Sequence, residues 1–365
     1  MNKHIDSLNN HLSPALPAYT IGAYAYNDLA KLISKHGKKA YLIGGLNALN
    51  AGLKYVEEAL QNSGIWLSVE IFTGEPTKCE AQKFADEALS SGADIILGMG
   101  GGRAIDAAKA AGYYANLPVF TLPTIPATCA AITALSVVYD DKAEPFLFLR
   151  EPPEHVFIHT GILAASPPEY LRAGIGDSIA KHVESAYKAG DYSGLNYEDV
   201  LGLYTAAMGY DTLLNIGVKA MEDAKNAKDS PEYRLACECC IINTGLVSIL
   251  VKESLNGALA HSLYYALKHE SGISNYLHGE IVAWGSIVQL VMEGNGGKAI
   301  ELMEFLKDLD IPISLEIMGS SLETVKPKLS AVLIQPDMQG ATVSEYMIEH
   351  AIEKTEWLSS RKEGK

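Results

Sequence analysis

The chain has 365 residues, of which 48% are hydrophobic and 20% are charged. This composition excludes a globally disordered chain, and the length favours two domains over one. The 44 acidic residues outnumber the 29 basic ones and give a formal net charge of -15. A surface of that charge disfavours nucleic acid and anionic membranes as partners, and it leaves a small-molecule substrate.

Three features of the sequence predict a soluble, cytoplasmic protein. The first residues, MNKHIDSLNNHLSPALPAY, lack the apolar centre of a signal peptide, and no stretch reaches the roughly 20 uninterrupted apolar residues of a spanning helix. The five cysteines are sparse and odd in number, which is typical of a reducing compartment. Three of them lie together at Cys237, Cys239 and Cys240, and we interpret them as ordinary buried thiols rather than metal ligands.

The first half of the chain alternates strand-like and helix-like segments, which predicts a parallel sheet covered by helices. Strands are predicted at Ala40–Gly44, Trp66–Phe72, Asp94–Leu97 and Val119–Leu122. Helices are predicted at Tyr26–His36, Ala48–Gln61, Cys79–Ser90 and Arg103–Tyr114. A second strand group, at Leu135–Tyr139, Pro145–Leu149 and Val156–Ile158, predicts a hairpin followed by a return to the sheet.

The pattern changes near Ser166. Pro167 and Pro168 interrupt the chain, and beyond them apolar residues recur mostly at helical spacing. We therefore expect an α/β domain over residues 1–164 and an all-helical domain over residues 165–365.

A glycine-rich turn follows the strand Asp94–Leu97. The run GMGGGR at residues 98–103 leads into a helix that carries Asp106 and Lys109. Glycines at a strand-to-helix turn let backbone N–H groups approach a ligand, and a helix N-terminus favours an anion such as a pyrophosphate. The spacing is neither G-x-G-x-x-G nor a P-loop. A phosphate site and a tight structural turn both remain open on this pattern.

Three ligand-type residues lie in the helical half: Asp177, His261 and His278. One carboxylate and two imidazoles form the three-ligand set, with an open fourth position, that a catalytic divalent metal needs. Scattered Asp and His residues are common, so polar groups satisfied at helix ends or in the core are the alternative interpretation.

Taken together, these segments resemble glycerol dehydrogenases of the iron-containing alcohol dehydrogenase superfamily over nearly the whole chain. The resemblance rests on GMGGGRAIDAAK (98–109), PTIPAT (123–128), ALSVVY (134–139), GIGD (174–177), His261 and HG (278–279). It implies a dinucleotide-binding α/β domain followed by a helical metal- and substrate-binding domain, in the architecture that this superfamily shares with dehydroquinate synthase. A homo-oligomer is also implied.

The resemblance implies NAD or NADP as cofactor, with one divalent metal held by Asp177, His261 and His278. It implies Gly100, Gly101, Gly102, Thr124, Thr133, Leu135, Val137 and Tyr139 as cofactor-binding residues, and Gly45, Asp106, Lys109 and Thr128 complete the predicted set. Iron enzymes of the superfamily have a fourth ligand, a His, one helical turn after the Asp, and here that position is Lys181. An ammonium group does not coordinate a metal, so zinc is favoured over iron. The same ammonium is a candidate to attract a carboxylate substrate.

Three departures from the glycerol dehydrogenase pattern bear on the substrate and cofactor. Cys129 stands where those enzymes carry an Asp beside the substrate, and its Thr-Cys-Ala-Ala run is more similar to the hydroxycarboxylate dehydrogenase branch. Gly45 replaces the acidic residue expected at the adenine ribose, which makes NADP as plausible as NAD. Tyr264 replaces a His three residues after the first histidine ligand.

The sequence therefore predicts a metal-dependent enzyme that transfers a hydride between NAD(P)(H) and a small alcohol or 2-hydroxy acid, or the matching ketone or 2-oxo acid. Cys129, Lys181 and Tyr264 are candidates to contact the substrate. Glycerol dehydrogenase proper, a dehydroquinate synthase-like cyclase and a catalytically weak cofactor-binding protein are the alternatives. Asp177 disfavours the cyclase, whose metal carboxylate is a Glu.

Overall fold

The computed structural model describes residues 14–139 and 146–361. The chain forms two compact units, Met1–Pro168 with Asp223–Cys237, and Glu169–Glu222 with Glu238–Lys365. It therefore passes three times from one unit to the other. The sequence predicts a single boundary between residues 164 and 165, whereas the first compact unit also includes the later segment Asp223–Cys237.

The first unit contains a parallel sheet of six strands, in the order β1-β8-β5-β4-β2-β3. The strands of the protein are β1 (Ala18–Gly22), β2 (Lys39–Gly45), β3 (Trp66–Phe72), β4 (Ile95–Gly100), β5 (Val119–Pro123), β6 (Leu135–Val137), β7 (Phe146–Phe148) and β8 (His155–His159). All six residues of β4 are buried, as a strand covered on both faces requires, whereas β3 at the edge is largely exposed. The predicted parallel α/β sheet is confirmed.

A small antiparallel hairpin pairs β6 with β7, and β8 then returns to the main sheet. Both features were predicted, although Pro145 lies outside the described residues. Strand β1 was not predicted. It lies at the edge of the sheet beside β8, and its first two residues are exposed, so it lacks the continuous apolar run of a central strand.

The α-helices of the described residues are α1 (Leu29–Ile33), α2 (Leu46–Leu60), α3 (Lys78–Ser90), α4 (Gly102–Ala115), α5 (Thr160–Ala164), α6 (Glu169–Ala189), α7 (Tyr197–Lys225), α8 (Pro231–Glu238), α9 (Thr244–Leu250), α10 (Leu259–Leu267), α11 (His278–Met292), α12 (Gly296–Asp308), α13 (Leu322–Val325), α14 (Leu329–Leu333) and α15 (Glu345–Ser360). Short 3-10 turns lie at Ala25–Asp28, Cys129–Ala131, Glu253–Leu255, Ile273–Asn275, Lys326–Lys328 and Pro336–Met338. Beyond β8 the described chain has no strand, which confirms the helical second half.

Helix α4 packs unusually close to the sheet. A Cβ atom on Gly98 of β4 would lie 2.7 Å from the Cβ of Ala108, so only glycine permits this approach. The helix ends at Asn116, whose left-handed conformation (φ 54°) is typical of a helix C-terminus. The close packing fixes where α4 begins relative to the end of β4, and the glycine-rich turn joins the two.

One helical run of the described residues, Pro231–Leu250, has the length and apolar content of a membrane-spanning helix. Most of it is buried inside the protein, as in the core helix of a soluble protein.

A π-helical segment, Cys239–Asn243, lies within this run. Its thiols and that of Cys237 are buried, and burial raises the pKa of Cys239 to about 11. These positions fit the interpretation of Cys237, Cys239 and Cys240 as interior thiols.

Candidate active site

Three helices of the second unit bring Asp177, His261 and His278 together. The Oδ1 atom of Asp177, in α6, lies 3.5 Å from the Nε2 atom of His261, in α10, and 3.5 Å from that of His278, the first residue of α11. One potential ligand atom from each residue falls within 4.8 Å of the others, and in the described part of the chain no other group of three or more His, Cys, Asp or Glu residues does so.

Contact between two helix backbones sets this geometry. A Cβ atom on Gly279 would lie 1.7 Å from the carbonyl oxygen of Ala173, and one on Gly176 would lie 2.2 Å from the carbonyl oxygen of Gly279. No side chain larger than hydrogen fits at either place, so α6 and α11 touch backbone to backbone. Asp177 and His278 directly neighbour these glycines in the sequence and are therefore brought side by side.

Glu184 fixes the ring of His261. Its side chain is fully buried in α6, and its Oε2 atom accepts a hydrogen bond from the Nδ1–H group of His261. Its Oε1 atom accepts from the backbone N–H groups of Ala258, at 2.8 Å, and His261, at 2.9 Å. The Nε2 atom of His261 is thereby left to face Asp177. A carboxylate behind a histidine in this way is typical of metal sites.

Glu184 was not predicted from the sequence. It lies seven residues after Asp177, which is two turns along the same face of a helix, and that spacing was the available signal. A Glu two turns after an Asp is common, however, and only the fold shows that His261 lies opposite both.

The charges of the site depend on one another. Burial alone would lower the pKa of His261, but the carboxylates of Glu184 and Asp177 outweigh burial and raise that pKa to about 10. For the Asp177 carboxyl group, burial alone would raise the pKa, but hydrogen bonds from His261 and His278 hold that pKa well below its usual range. The proton retained by His261 thus balances the buried carboxylates, which is the role that a bound divalent cation would take over.

The donor set fits such a cation. Two imidazole nitrogens and one carboxylate oxygen are the ligands of many catalytic zinc sites, which keep the fourth position open. Asp177 and His261 are buried and His278 is partly exposed, so a cation held here would be reached from the His278 side.

The three candidates for substrate contact, Tyr264, Lys181 and Cys129, lie in different surroundings. Tyr264 packs the edge of its ring on His278, with ring centroids 4.3 Å apart and planes at 88°. Lys181 is half-buried, and its Nζ donates a hydrogen bond to the carbonyl oxygen of Asn256 at 2.7 Å. Cys129 lies in the first unit, in the 3-10 turn after β5. Their roles toward a substrate stay predictions.

In the first unit, two glycine turns lie side by side at the carboxyl edge of the sheet. Gly45 ends β2 and precedes α2, and Gly101 follows β4 and precedes α4; neither helix has a side-chain cap at its N-terminus. Because β2 and β4 are paired neighbours, both sets of unbonded N–H groups lie at the same edge. The strand order reverses between these two strands, which is where doubly wound sheets bind nucleotides.

The turn at Gly100 requires glycine. Its φ of +150° is rare for residues with a side chain, and a Cβ atom there would lie 2.9 Å from the Cβ of Ala104. The backbone N–H groups of the turn can therefore face an anion with no side chain in the way. These uncapped helix ends fit a pyrophosphate.

Asp106 and Lys109 have a structural role that the sequence analysis did not foresee. Both are buried, and the Lys109 Nζ lies 3.1 Å from the Asp106 Oδ1. The same Nζ donates to the carbonyl oxygen of Ala130 at 2.7 Å, and also to the carbonyl oxygens of Thr133 and Leu135. The ammonium group thus holds the loop after β5 against α4. Direct contact of either residue with a dinucleotide stays a prediction.

That loop carries the remaining predicted cofactor residues. The Thr124 N–H group donates to the carbonyl oxygen of Gly100, and a Cβ atom on Gly102 would lie 3.1 Å from the Cγ2 of Thr128. Leu135 and Val137 are half-buried in β6, and Tyr139 is exposed. Thr124 and Thr128 thus lie beside the glycine turn, while Thr133 is buried against Lys109.

Comparison with known proteins identifies the family. Residues 17–155 match the model of the family described as iron-containing alcohol dehydrogenase. The chain is 31% identical to glycolaldehyde reductase of Halobacterium salinarum (82% of this chain, 83% of the relative) and to glycerol dehydrogenase of Escherichia coli (89% of each). It is also 31% identical to hydroxycarboxylate dehydrogenase A of Escherichia coli (67% and 68%).

A solved structure agrees on the fold. The crystal structure of a probable glycerol dehydrogenase from Sinorhizobium meliloti has a TM-score of 0.83 and 23% identity, covering 96% of this chain and 99% of that one. The resemblance drawn from the sequence motifs is confirmed. The chain belongs to the iron-containing alcohol dehydrogenase family of oxidoreductases.

Proposed function

We propose that the protein transfers a hydride between a nicotinamide dinucleotide and a small substrate that carries oxygen on adjacent carbons, such as a 2-hydroxy acid, a 2-oxo acid or a hydroxyaldehyde. The observation that carries the proposal is the Asp177–His261–His278 triad, with Asp177 and His261 buried and Glu184 behind His261. The names of the relatives support the substrate class, since glycerol and glycolaldehyde have that feature and a hydroxycarboxylate has it when the hydroxyl group is on carbon 2.

The residues of the second unit would hold the metal and keep it in place. Asp177, His261 and His278 would each supply one ligand atom, and Glu184 would keep the Nδ1 proton on His261 so that Nε2 stays a ligand. A bound divalent cation polarises a carbonyl oxygen or stabilises an alkoxide. Burial of Asp177 and His261 would exclude water from that side of the site.

The residues of the first unit would hold the cofactor. The uncapped N-termini of α2 and α4 would bind the pyrophosphate, and the loop fixed by Lys109 would border the rest of the dinucleotide. Gly45 offers no carboxylate to repel a 2′-phosphate, so the proposal includes both NAD and NADP.

Zinc is the proposed metal. Lys181 occupies the position one turn after Asp177, and its ammonium already donates to the backbone at Asn256. A site of three protein ligands results, which suits zinc. Measuring metal content, and restoring activity to the chelator-treated protein with Zn²⁺ or Fe²⁺, distinguishes the two metals.

The location, partners and oligomeric state of the protein are part of the same proposal. We expect a cytoplasmic homo-oligomer with no nucleic-acid or membrane partner, supported by the family and by the net charge of -15. Light scattering coupled to size-exclusion chromatography measures the oligomer directly, and a monomeric mass would contradict it.

The test is oxidation of NADH and NADPH, followed at 340 nm with Zn²⁺ present, against 2-oxo acids, glycolaldehyde, dihydroxyacetone and simple ketones. His261→Ala should lose bound metal and reduce turnover by about 1,000-fold, since the metal contributes several kcal/mol to transition-state stabilisation. His269→Ala is the matched control, because His269 is exposed and outside the triad. Unchanged turnover in His261→Ala would refute the metal assignment.

A further inference from the structure

The two histidines of the triad are held in different ways. The Nδ1 atom of His261 is bonded to a buried carboxylate, that of Glu184. In the described chain, His278 has no hydrogen-bond partner at its Nδ1 atom, and only its Nε2 atom faces Asp177. The position of His278 must therefore be set by its backbone and by ring packing.

Glu280 fixes the backbone turn that carries His278. Its carboxylate is almost fully buried, and its Oε2 atom accepts a hydrogen bond at 2.8 Å from the N–H group of Leu277. Leu277 is the N-cap of α11, so Glu280 closes the first turn of the helix in the manner of a capping box. His278 is the residue between the cap and Gly279.

Arg172 joins this turn to the helix of Asp177. Its Nε–H group donates to the Oε1 atom of Glu280 at 2.6 Å, and Arg172 lies five residues before Asp177 in α6. The pair is mostly buried, with 25% of the Arg172 side chain and 2% of the Glu280 side chain exposed. A mostly buried ion pair of this length holds its two elements more firmly than an exposed one does.

We propose, on the basis of the proposed function, that Arg172 and Glu280 are positioning residues of the metal centre. Beside the backbone contact at Gly176 and Gly279, the pair holds the first turn of α11 against α6, and so helps to set the distance from the Nε2 atom of His278 to the Oδ1 atom of Asp177. Glu184 orients one histidine through its ring, and the Arg172–Glu280 pair positions the other through its backbone.

The test is a double-mutant cycle on zinc affinity, measured on the metal-free, full-length protein by competition with a chromophoric chelator. Arg172→Met should weaken zinc binding about 10- to 100-fold, as changes behind metal ligands typically do. In the His278→Ala background the same substitution should change affinity by less than about two-fold, because the residue through which it acts is gone. A full Arg172→Met effect in that background would overturn the proposal.

Arg234→Met is the matched control. Arg234 donates to Asp229 from Nε and Nη2, at 2.5 and 2.7 Å, and both residues belong to the first unit. The Arg234→Met variant should keep wild-type zinc affinity. An equal loss of affinity in this variant would mean that Arg172→Met acts through general destabilisation, which would refute a positioning role for Arg172. Arg172→Lys should recover part of the affinity, since it restores the charge without the guanidinium geometry.

If Arg172→Met does not fold, Glu280→Gln decides by the same cycle. Its amide oxygen can still accept from Leu277 while the charge facing Arg172 is lost, and a several-fold loss of affinity that vanishes in the His278→Ala background is expected. Failure of the proposed function gives a different result, because the wild type would then bind no zinc at this site. Zinc binding that depends on His278 but not on Arg172 or Glu280 would refute this inference alone.

Discussion

The two candidate binding regions are built from different parts of the polypeptide. The dinucleotide region uses backbone N–H groups at two glycine turns, adjacent in one sheet. The metal region uses side chains from three helices, with Asp177 and His278 separated by about a hundred residues of sequence. A backbone site depends on how the chain bends, whereas a side-chain site depends on what lies behind each ligand. Substitutions should therefore affect the two regions by different mechanisms.

The largest effect is expected at Lys109, where a side chain supports the backbone region. Lys109→Met leaves Asp106 buried without its partner and frees the loop carbonyls, so the free energy of unfolding should fall by about 3–5 kcal/mol. Urea denaturation measures this change. Zinc affinity of the folded fraction should stay at the wild-type value. Unchanged stability would contradict the structural role of Lys109.

At the metal region, Glu184→Gln should weaken zinc binding about 10- to 100-fold. The amide no longer imposes the Nδ1–H form on His261, although it is nearly the same size and keeps an acceptor for the backbone N–H groups. Chelator competition gives the affinity, and dinucleotide binding followed by fluorescence should not change. Wild-type zinc affinity would show that Glu184 does not orient His261.

Gly100→Ala tests the backbone region. A side chain at φ +150° costs about 1–3 kcal/mol, and relief of that strain would turn the N–H groups away from the pyrophosphate. The KM for the dinucleotide should rise about 10-fold or more while bound zinc stays constant. Gly64→Ala is the matched control, since Gly64 has φ +74° with nothing within 4 Å of its Cβ position. An equal rise of KM in both variants would refute the phosphate site.

The smallest effect is expected at Lys181. Its ammonium group donates one hydrogen bond, to the carbonyl oxygen of Asn256, and has two more N–H groups that could bind a carboxylate. Lys181→Met should therefore raise the KM for a 2-oxo acid a few-fold more than the KM for a neutral ketone. Steady-state kinetics with a matched acid and ketone measures the ratio. Equal changes for both substrates would remove Lys181 from substrate recognition.

The difference between local backbone features and side chains that converge from distant helices also explains which parts of the structure could be predicted from the sequence. Strands such as Trp66–Phe72 are local patterns, and the sheet lies where they predicted it, although β4 continues through the first three residues of the predicted glycine turn, Gly98–Gly100. The edge strand Ala18–Gly22 was missed because two of its five residues are exposed and its partner, β8, lies more than a hundred residues further along the chain. Local patterns report local structure well and distant pairing poorly.

Residues whose roles depend on convergence were the hardest to assign. Their residue types left Asp177, His261 and His278 open between a metal site and satisfied polar groups, and only the family resemblance favoured the metal site, since nothing local shows that three helices meet. Glu184 and the Arg172–Glu280 pair carry no motif, because their roles depend on what lies opposite them. The position of Lys109 after the glycine turn predicted a ligand contact, but its hydrogen bonds to the loop carbonyls could not be read from that position.

The segment Asp223–Cys237, which belongs to the first compact unit, has a consequence for dissecting the protein. Asp229 in this segment accepts a hydrogen bond from the Thr160 hydroxyl at 2.6 Å, so the sheet domain depends on residues made long after its last strand. A fragment that stops at Pro168 would lack that contact. During synthesis the sheet domain cannot be completed until at least 237 residues have been made, and neither unit can be expressed whole as one uninterrupted piece.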